Sequence, residues 1–250
     1  MTENLVSIIM PTYNCGRFIE ETIASIQNQT YENWEIEIVD DCSTDNTKEI
    51  VEILAAKDSR IHYTCLDVNS GAAVARTEAM KLARGEYMAF CDSDDLWMPE
   101  KLERQLKFMQ ENGYAFSCTA YEQIDEESKS LDRVIKTIKK TDYNRLLLDC
   151  PVGNSSVMYN VGVMGKFEVP NIRKRNDDAL WLTMLKKEKY IWGMPDVLMR
   201  YRIRKNSISS NKLAVVKYHW ILYREIEHLS VLRSAFHICF WAFLKVFRIK

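Results

Sequence analysis

The chain lacks the signatures that most often decide a function by themselves. None of its seven cysteines stands in a CxxC pair and their number is odd in 250 residues, which fits no disulfide-stapled mini-domain. Free thiols in a reducing cytosol are the expectation. No GxGxxG, P-loop or GxSxG motif occurs, which weakens dinucleotide, nucleoside-triphosphatase and serine-hydrolase readings. No stretch reaches the roughly 18 apolar residues of a membrane span. The opening MTENLVSIIMPTYN lacks the basic and long apolar regions of a signal peptide. His62, His219, His228 and His237 share no metal-ligand spacing. Repeats, low-complexity tracts and a clear linker are also missing. Charge of one sign is not in excess: 34 Lys and Arg stand against 35 Asp and Glu, a net of −1. That balance argues against a dedicated nucleic-acid binder.

What is present is the composition of a folded domain, 47% hydrophobic and 28% charged. The neutral sum hides a split. Residues 197–250 hold eleven bases and only two acids, a charge of +9, which leaves −10 for residues 1–196. An acidic body with a basic tail predicts an anionic partner near the tail, a phosphate or a membrane surface.

Apolar runs alternate with helical spacing through the first half. Residues 5–10 (LVSIIM), 35–39 (EIEIV), 61–66 and 87–91 (YMAFC) read as strands. Residues 17–29, 47–56 and 72–83 read as helices, and Pro99 suits the first position of another. This order predicts a parallel sheet with right-handed crossovers, whose ligands collect at the carboxyl ends of strands. Thr12-Tyr13-Asn14, Asp40-Asp41 and Asp92–Asp95 all fall at such ends. After residue 121 the pattern loosens: a charged loop over 125–132, a helix over 143–148, a strand over 155–159, a helix over 177–187 and a strand over 197–203.

Four constellations carry chemistry. Asp92-Ser93-Asp94-Asp95 places three carboxylates within four residues, which repel unless a positive charge lies between them; a hard divalent cation is one solution and a solvated acidic loop the other. Asp40-Asp41 either caps the following helix or accepts hydrogen bonds from a base or ribose. Asp177-Asp178 either complements a helix macrodipole or supplies a general base. Arg202 and Arg204, with Lys205 and Ser207, form either a solvated run or a pyrophosphate clamp. No acid lies between residues 197 and 224 to neutralise them, which favours the clamp.

Taken in order, VSIIMPTYN (6–14), IVDDCSTDNT (38–47), GAAVARTEAMKLARGEYMAFCDSDD (71–95), NDDALWL (176–182) and YRIRKNSISSNK (201–212) resemble family 2 inverting glycosyltransferases. The last two motifs look most like bacterial enzymes of O-antigen, capsule or lipooligosaccharide synthesis. The resemblance implies an α/β fold of GT-A type, a Rossmann-like, mostly parallel sheet flanked by helices. It implies a nucleotide-diphosphosugar donor, with UDP expected, and a divalent cofactor, Mn²⁺ or Mg²⁺. By the same resemblance, Thr12, Tyr13 and Asn14 line the base pocket and Asp41 contacts the base. Arg76 helps hold the nucleotide, and Asp92 and Asp94 form the DxD element near ribose and metal-diphosphate. Asp177 is the implied catalytic base, with Asp178 kept open as the alternative register; Arg202, Arg204 and Ser207 belong to the diphosphate loop. Three positions depart from the pattern: Cys42 replaces a glycine, Thr77 an asparagine and Asn176 a glutamate.

The expected organisation is a catalytic domain over 1–212, with a nucleotide-sugar half at 1–121 and an acceptor and base half at 122–212, followed by a basic helical tail at 213–250. Residues 230–250 pair Trp241 and several phenylalanines with flanking bases, the pattern of a helix lying on anionic lipid; packing on protein is the alternative. The expected acceptor is a glycan or lipid-linked hydroxyl, and the expected location the inner face of the cell membrane. Two further readings stay open on sequence alone: a metal-dependent phosphohydrolase with Asp92 as nucleophile, and a non-catalytic nucleotide-sugar or lipid-surface module.

Overall fold

The computed structural model describes residues 1–204 and 212–247. Its first half follows the alternation of the sequence: β1 (Thr2–Thr12), α1 (Ile19–Gln27), β2 (Trp34–Asp40), α2 (Thr47–Ala55), β3 (Ile61–Cys65), α3 (Ala72–Leu82) and β4 (Gly85–Phe90). A short β5 (Leu96–Trp97) precedes α4 (Lys101–Asn112), which ends at Gly113 in the left-handed region, φ 67°. Then come β6 (Phe116–Ile124), β7 (Ser130–Ile135), β8 (Lys140–Thr141), α5 (Tyr143–Leu148), β9 (Met158–Asn160), α6 (Val161–Met164), α7 (Asn176–Met184) and β10 (Ile191–Arg202). Two tail helices follow, α8 (Lys212–Ile221), extended by a wider turn over Leu222–Ile226, and α9 (Val231–Phe247).

Among the described residues the strands form one ten-stranded sheet with the central order β3-β2-β1-β4-β9-β6-β10-β5. Strands β1 to β4 pair in parallel. Such strands are covered on both faces and therefore read as continuous apolar runs. Alternate residues of β1 show both faces at once. Val6, Ile8 and Met10 join the cluster under α1, α2 and α4, whereas Ile9 joins the cluster under α3 and α7. The second cluster is anchored by Trp181 of α7, fully buried edge-on against Phe90 at 4.9 Å.

Two differences from the expected pattern have physical causes. The strand expected over 155–159 is shorter and later: residues 154–156 form a 3-10 turn and β9 covers Met158–Asn160, running antiparallel to β4 and β6, so the sheet is mixed at its centre. Strand β10 starts six residues earlier than its sequence pattern indicates. Gly193 and Pro195 read as breakers there, yet the register shifts between Met194 and Val197, and a bulge accommodates a proline that cannot donate.

Candidate active site

The carboxyl ends of β1, β2 and β4 and the start of α7 meet on one edge of the sheet. At the first two strand ends the polar residues bind one another. Thr12 is buried and its carbonyl accepts from the Asp41 amide at 2.9 Å. Tyr13 is half exposed. Asn14 sits at φ 47° and its Oδ1 accepts from the Thr44 amide at 2.7 Å. Asp40 is wholly buried: Oδ1 accepts from the Ser43 amide and hydroxyl, and Oδ2 from the Tyr63 hydroxyl at 2.7 Å. Asp41 accepts from the amides of Ser70 and Gly71, at 2.6 and 2.8 Å, and so ties the end of β2 to the start of α3.

Arg76 of α3 is the junction of the site. It is 4% exposed; Nη2 donates to Asp92 Oδ1 at 3.1 Å and Nη1 donates to Asn176 Oδ1. One guanidinium thus joins the aspartate cluster after β4 to the first turn of α7. Its Nε has no partner among the described residues.

In the aspartate cluster, Asp92 also accepts from Asn154 Nδ2 at 2.7 Å, and its amide donates to Ser155 Oγ. Burial, then the charges of Asp94 and Asp177, push its carboxyl up to about 6, against the pull of Arg76. Asp94 accepts from Arg204 Nη1 at 3.0 Å. Asp95 is buried: Oδ2 accepts from Ser155 Oγ at 2.5 Å and Oδ1 from the Arg202 amide at 2.9 Å. Burial, and the charges of Asp94 and Asp92, push it well above the ordinary carboxylate range.

The two aspartates of α7 are unlike. Asp178 is buried and pairs with Arg175 Nη1 at 2.7 Å. Asp177 is half-buried and makes no side-chain hydrogen bond among the described residues; it faces the same field as Asp92, whose proton affinity it raises.

Of the basic loop, Arg204 reaches the site through Asp94, while Arg202 is 3% exposed and engaged within the protein. Its Nε donates to the Asp94 carbonyl, Nη1 to Ser128 and the carbonyls of Asp125 and Glu126, and Nη2 to Glu21. Ser207 lies outside the described residues. Asn154 and Ser155 are the site residues that sequence patterning passed over. The only local signal was the small polar run Asn154-Ser155-Ser156 ahead of a strand, typical of turn chemistry.

The donor set of Asp92 and Asp94 is hard carboxylate oxygen with mutual repulsion, the chemistry that suits Mg²⁺ or Mn²⁺. A second cluster, Glu35, Glu37 and His62, brings its ligand atoms within 4.8 Å of one another on β2 and β3. Its carboxylates are already answered: Arg84 and Ser7 donate to Glu35, and His62 sits 2.7 Å from Glu37.

Residues 7–171 match the family model for glycosyl transferase family 2. The chain is 44% identical over 241 residues to TuaG of Bacillus subtilis (strain 168), a glycosyltransferase named for teichuronic acid biosynthesis, covering 96% of this chain and 95% of that one. It is 38% identical to the Escherichia coli UDP-Glc:alpha-D-GlcNAc-diphosphoundecaprenol beta-1,3-glucosyltransferase WfgD, covering 88% of this chain and 85% of that one. Among solved structures, S. aureus TarS 1–349 in complex with UDP superposes with a TM-score of 0.69 at 21% identity, over 95% of this chain and 70% of that one. Pyrobaculum calidifontis PcManGT, solved with GDP-Man and Mn²⁺, superposes with a TM-score of 0.63 at 18% identity, over 93% and 69%. The chain belongs to glycosyl transferase family 2 and has the GT-A fold.

Proposed function

We propose that this family member moves a hexose, or an N-acetylhexosamine, from its UDP-sugar to a hydroxyl of a lipid-linked glycan, with inversion to a β-linkage, in the synthesis of a bacterial surface polysaccharide. The observation that carries the reading is the Arg76 junction, which binds Asp92 and Asn176 and so links the carboxylate cluster after β4 to the turn that carries Asp177. WfgD, named for transfer of glucose from UDP-Glc to a diphosphoundecaprenol-linked sugar, supports UDP-glucose as the first donor to try and a lipid-linked acceptor.

In this reading Thr12, Tyr13, Asn14 and Asp41 hold the base. Arg76 and Asp92 hold the ribose end, and Arg204 and Ser207 the diphosphate, with Arg202 fixing the Asp94 backbone and the 125–128 turn. Asp92 and Asp94 would hold a divalent cation, which when bound neutralises charge on the diphosphate. Asp177 takes the proton of the acceptor hydroxyl. That oxygen bonds to the anomeric carbon from the face opposite the diphosphate, and the breaking C–O bond leaves its electron pair on UDP. One displacement turns an α-linked donor into a β-linked product.

The tail supports work at a lipid surface. Inner residues of α9 pack on α8 and its extension, Trp241 against His219 at 4.7 Å and His237 against Tyr223 at 5.5 Å. Its outer residues Leu232, Phe236 and Phe243 are exposed, as is Arg233. Among the described residues no helix is long and apolar enough to cross a membrane, so the reading is a peripheral helix on anionic lipid at the inner membrane face.

The test is a panel of UDP-glucose, UDP-galactose and UDP-N-acetylglucosamine with Mn²⁺ or Mg²⁺ and diphosphoundecaprenol-linked N-acetylglucosamine. Acceptor-dependent UDP release and a β-linkage by NMR are expected. An α-linked product, or phosphate release without transfer, overturns the reading. Co-sedimentation with anionic vesicles checks the tail: loss of binding on truncation at Ser230 is expected, and equal binding refutes the peripheral helix.

A further inference from the structure

Helix α7 begins in an unusual way. Its N-cap residue is Arg175, in the left-handed region at φ 64°, and no side chain caps the first turn. A β-carbon makes that conformation costly, so the surroundings must hold it. They do so through the guanidinium. Nη1 donates to Asp178 Oδ2 at 2.7 Å, and Nη2 contacts His219 Nε2 at 2.9 Å. A guanidinium has only donors, so Nε2 is the accepting atom of this contact. His219 belongs to α8, is 4% exposed, and lies between Tyr223 and Trp241, with ring centroids at 5.6 and 4.7 Å.

Asp177 is therefore bracketed. On one side Asn176 is held by Arg76, and on the other Asp178 is held by Arg175. We infer that Arg175 is a positioning residue for the carboxylate of Asp177, clamping the first turn of α7 between Asp178 and His219, and that α8 is thereby part of the catalytic unit although it lies beyond the matched family segment. The inference rests on the reading of Asp177 as the base. Misplacement of a reacting group by about 1 Å costs on the order of 100-fold in rate, so a lost clamp shows in turnover before it shows in donor binding.

The experiment uses the full chain with UDP-glucose, Mn²⁺ and the diphosphoundecaprenol-linked acceptor. R175A is expected to lower kcat by about 10- to 100-fold, with donor KM and the stoichiometry of UDP binding unchanged. R175K recovers part of the loss, and H219A shows a smaller fall. Because R175A leaves Asp178 buried without its cation, the double variant R175A/D178A removes both partners; its kcat is expected to stay low. Hydrogen exchange at the amides of residues 176–179 supplies a readout independent of donor choice, and is expected to quicken in R175A and H219A.

Wild-type kcat in the double variant, a fall in kcat matched by an equal fall in UDP-binding stoichiometry, or unchanged exchange at 176–179 each overturns the clamp. D177N separates the two claims. Full turnover in D177N overturns the base itself and leaves Arg175 nothing to position, whereas an inactive D177N beside a fully active R175A overturns the clamp alone.

Discussion

The end of β4 and the start of α7 each carry adjacent aspartates, and the two regions solve the same problem differently. In both, one carboxylate is buried and engaged by the scaffold: Asp95 after β4, and Asp178 in α7. At β4 the scaffold uses neutral donors, the Ser155 hydroxyl and the Arg202 amide, and burial drives the Asp95 carboxyl upward. At α7 it uses a full charge, Arg175. Of their neighbours, Asp92 feels the charge of both Asp94 in its own region and Asp177 in the other. Runs of acids that look equivalent in sequence differ in burial: Asp95 and Asp178 are buried, whereas Asp92, Asp94 and Asp177 keep partial exposure.

Four substitutions probe that comparison. The largest effect is expected from R76M, which removes the side chain that bonds to both regions. Removal of a site donor of this kind lowers kcat by about 100- to 1,000-fold, read by steady-state kinetics. W181A loosens the packing between the two regions: it empties a fully buried indole site against Phe90 and Phe116 and should cost about 3–5 kcal/mol in urea unfolding. S155A acts on the β4 region alone. It leaves the Asp92 amide and Asp95 Oδ2 without their partner, and a loss of about 1–3 kcal/mol is expected in the same assay.

The smallest effect is a change of slope with pH. Lys101 of α4 is fully buried, 4.1 Å over the Trp97 ring and donating to Gln105. Burial pushes its ammonium down to about 7 from an ordinary value of 10.5. Between those values the unfolded chain holds a proton that the native protein lacks, so stability rises with pH across that window and is flat in this respect below it. K101M removes the contribution. The Tm of K101M relative to wild type should be most favourable near pH 7 and fall toward pH 10, and a difference independent of pH contradicts the assignment.

Much of this was legible in advance, and the limits have a common cause. The parallel core from β1 to β4 was readable because strands covered on both faces are continuously apolar, and the polar clusters at their ends marked the edge where a site could form. Helix α5 matched its expected span of 143–148 for a similar reason, with Leu146 and Leu147 buried on one side. Features set by remote partners were hidden. Ser155 meets Asp95 from 60 residues away and Arg202 meets Glu21 from 181. Nothing in the local sequence of the basic loop distinguishes the buried Arg202 from Arg204, which reaches Asp94. The difference between Asp177 and Asp178 likewise depends on Arg175 and on the direction of the first turn of α7.

The most direct test of the division of labour is a parallel measurement of kcat and Tm in D177N and D178N. Loss of a general base lowers the rate by about 100- to 10,000-fold, so D177N should lose turnover with an unchanged Tm. D178N keeps an oxygen that accepts from Arg175, and should keep kcat within a few-fold while its Tm falls. The reverse pattern, with D178N inactive and D177N active, would contradict the account.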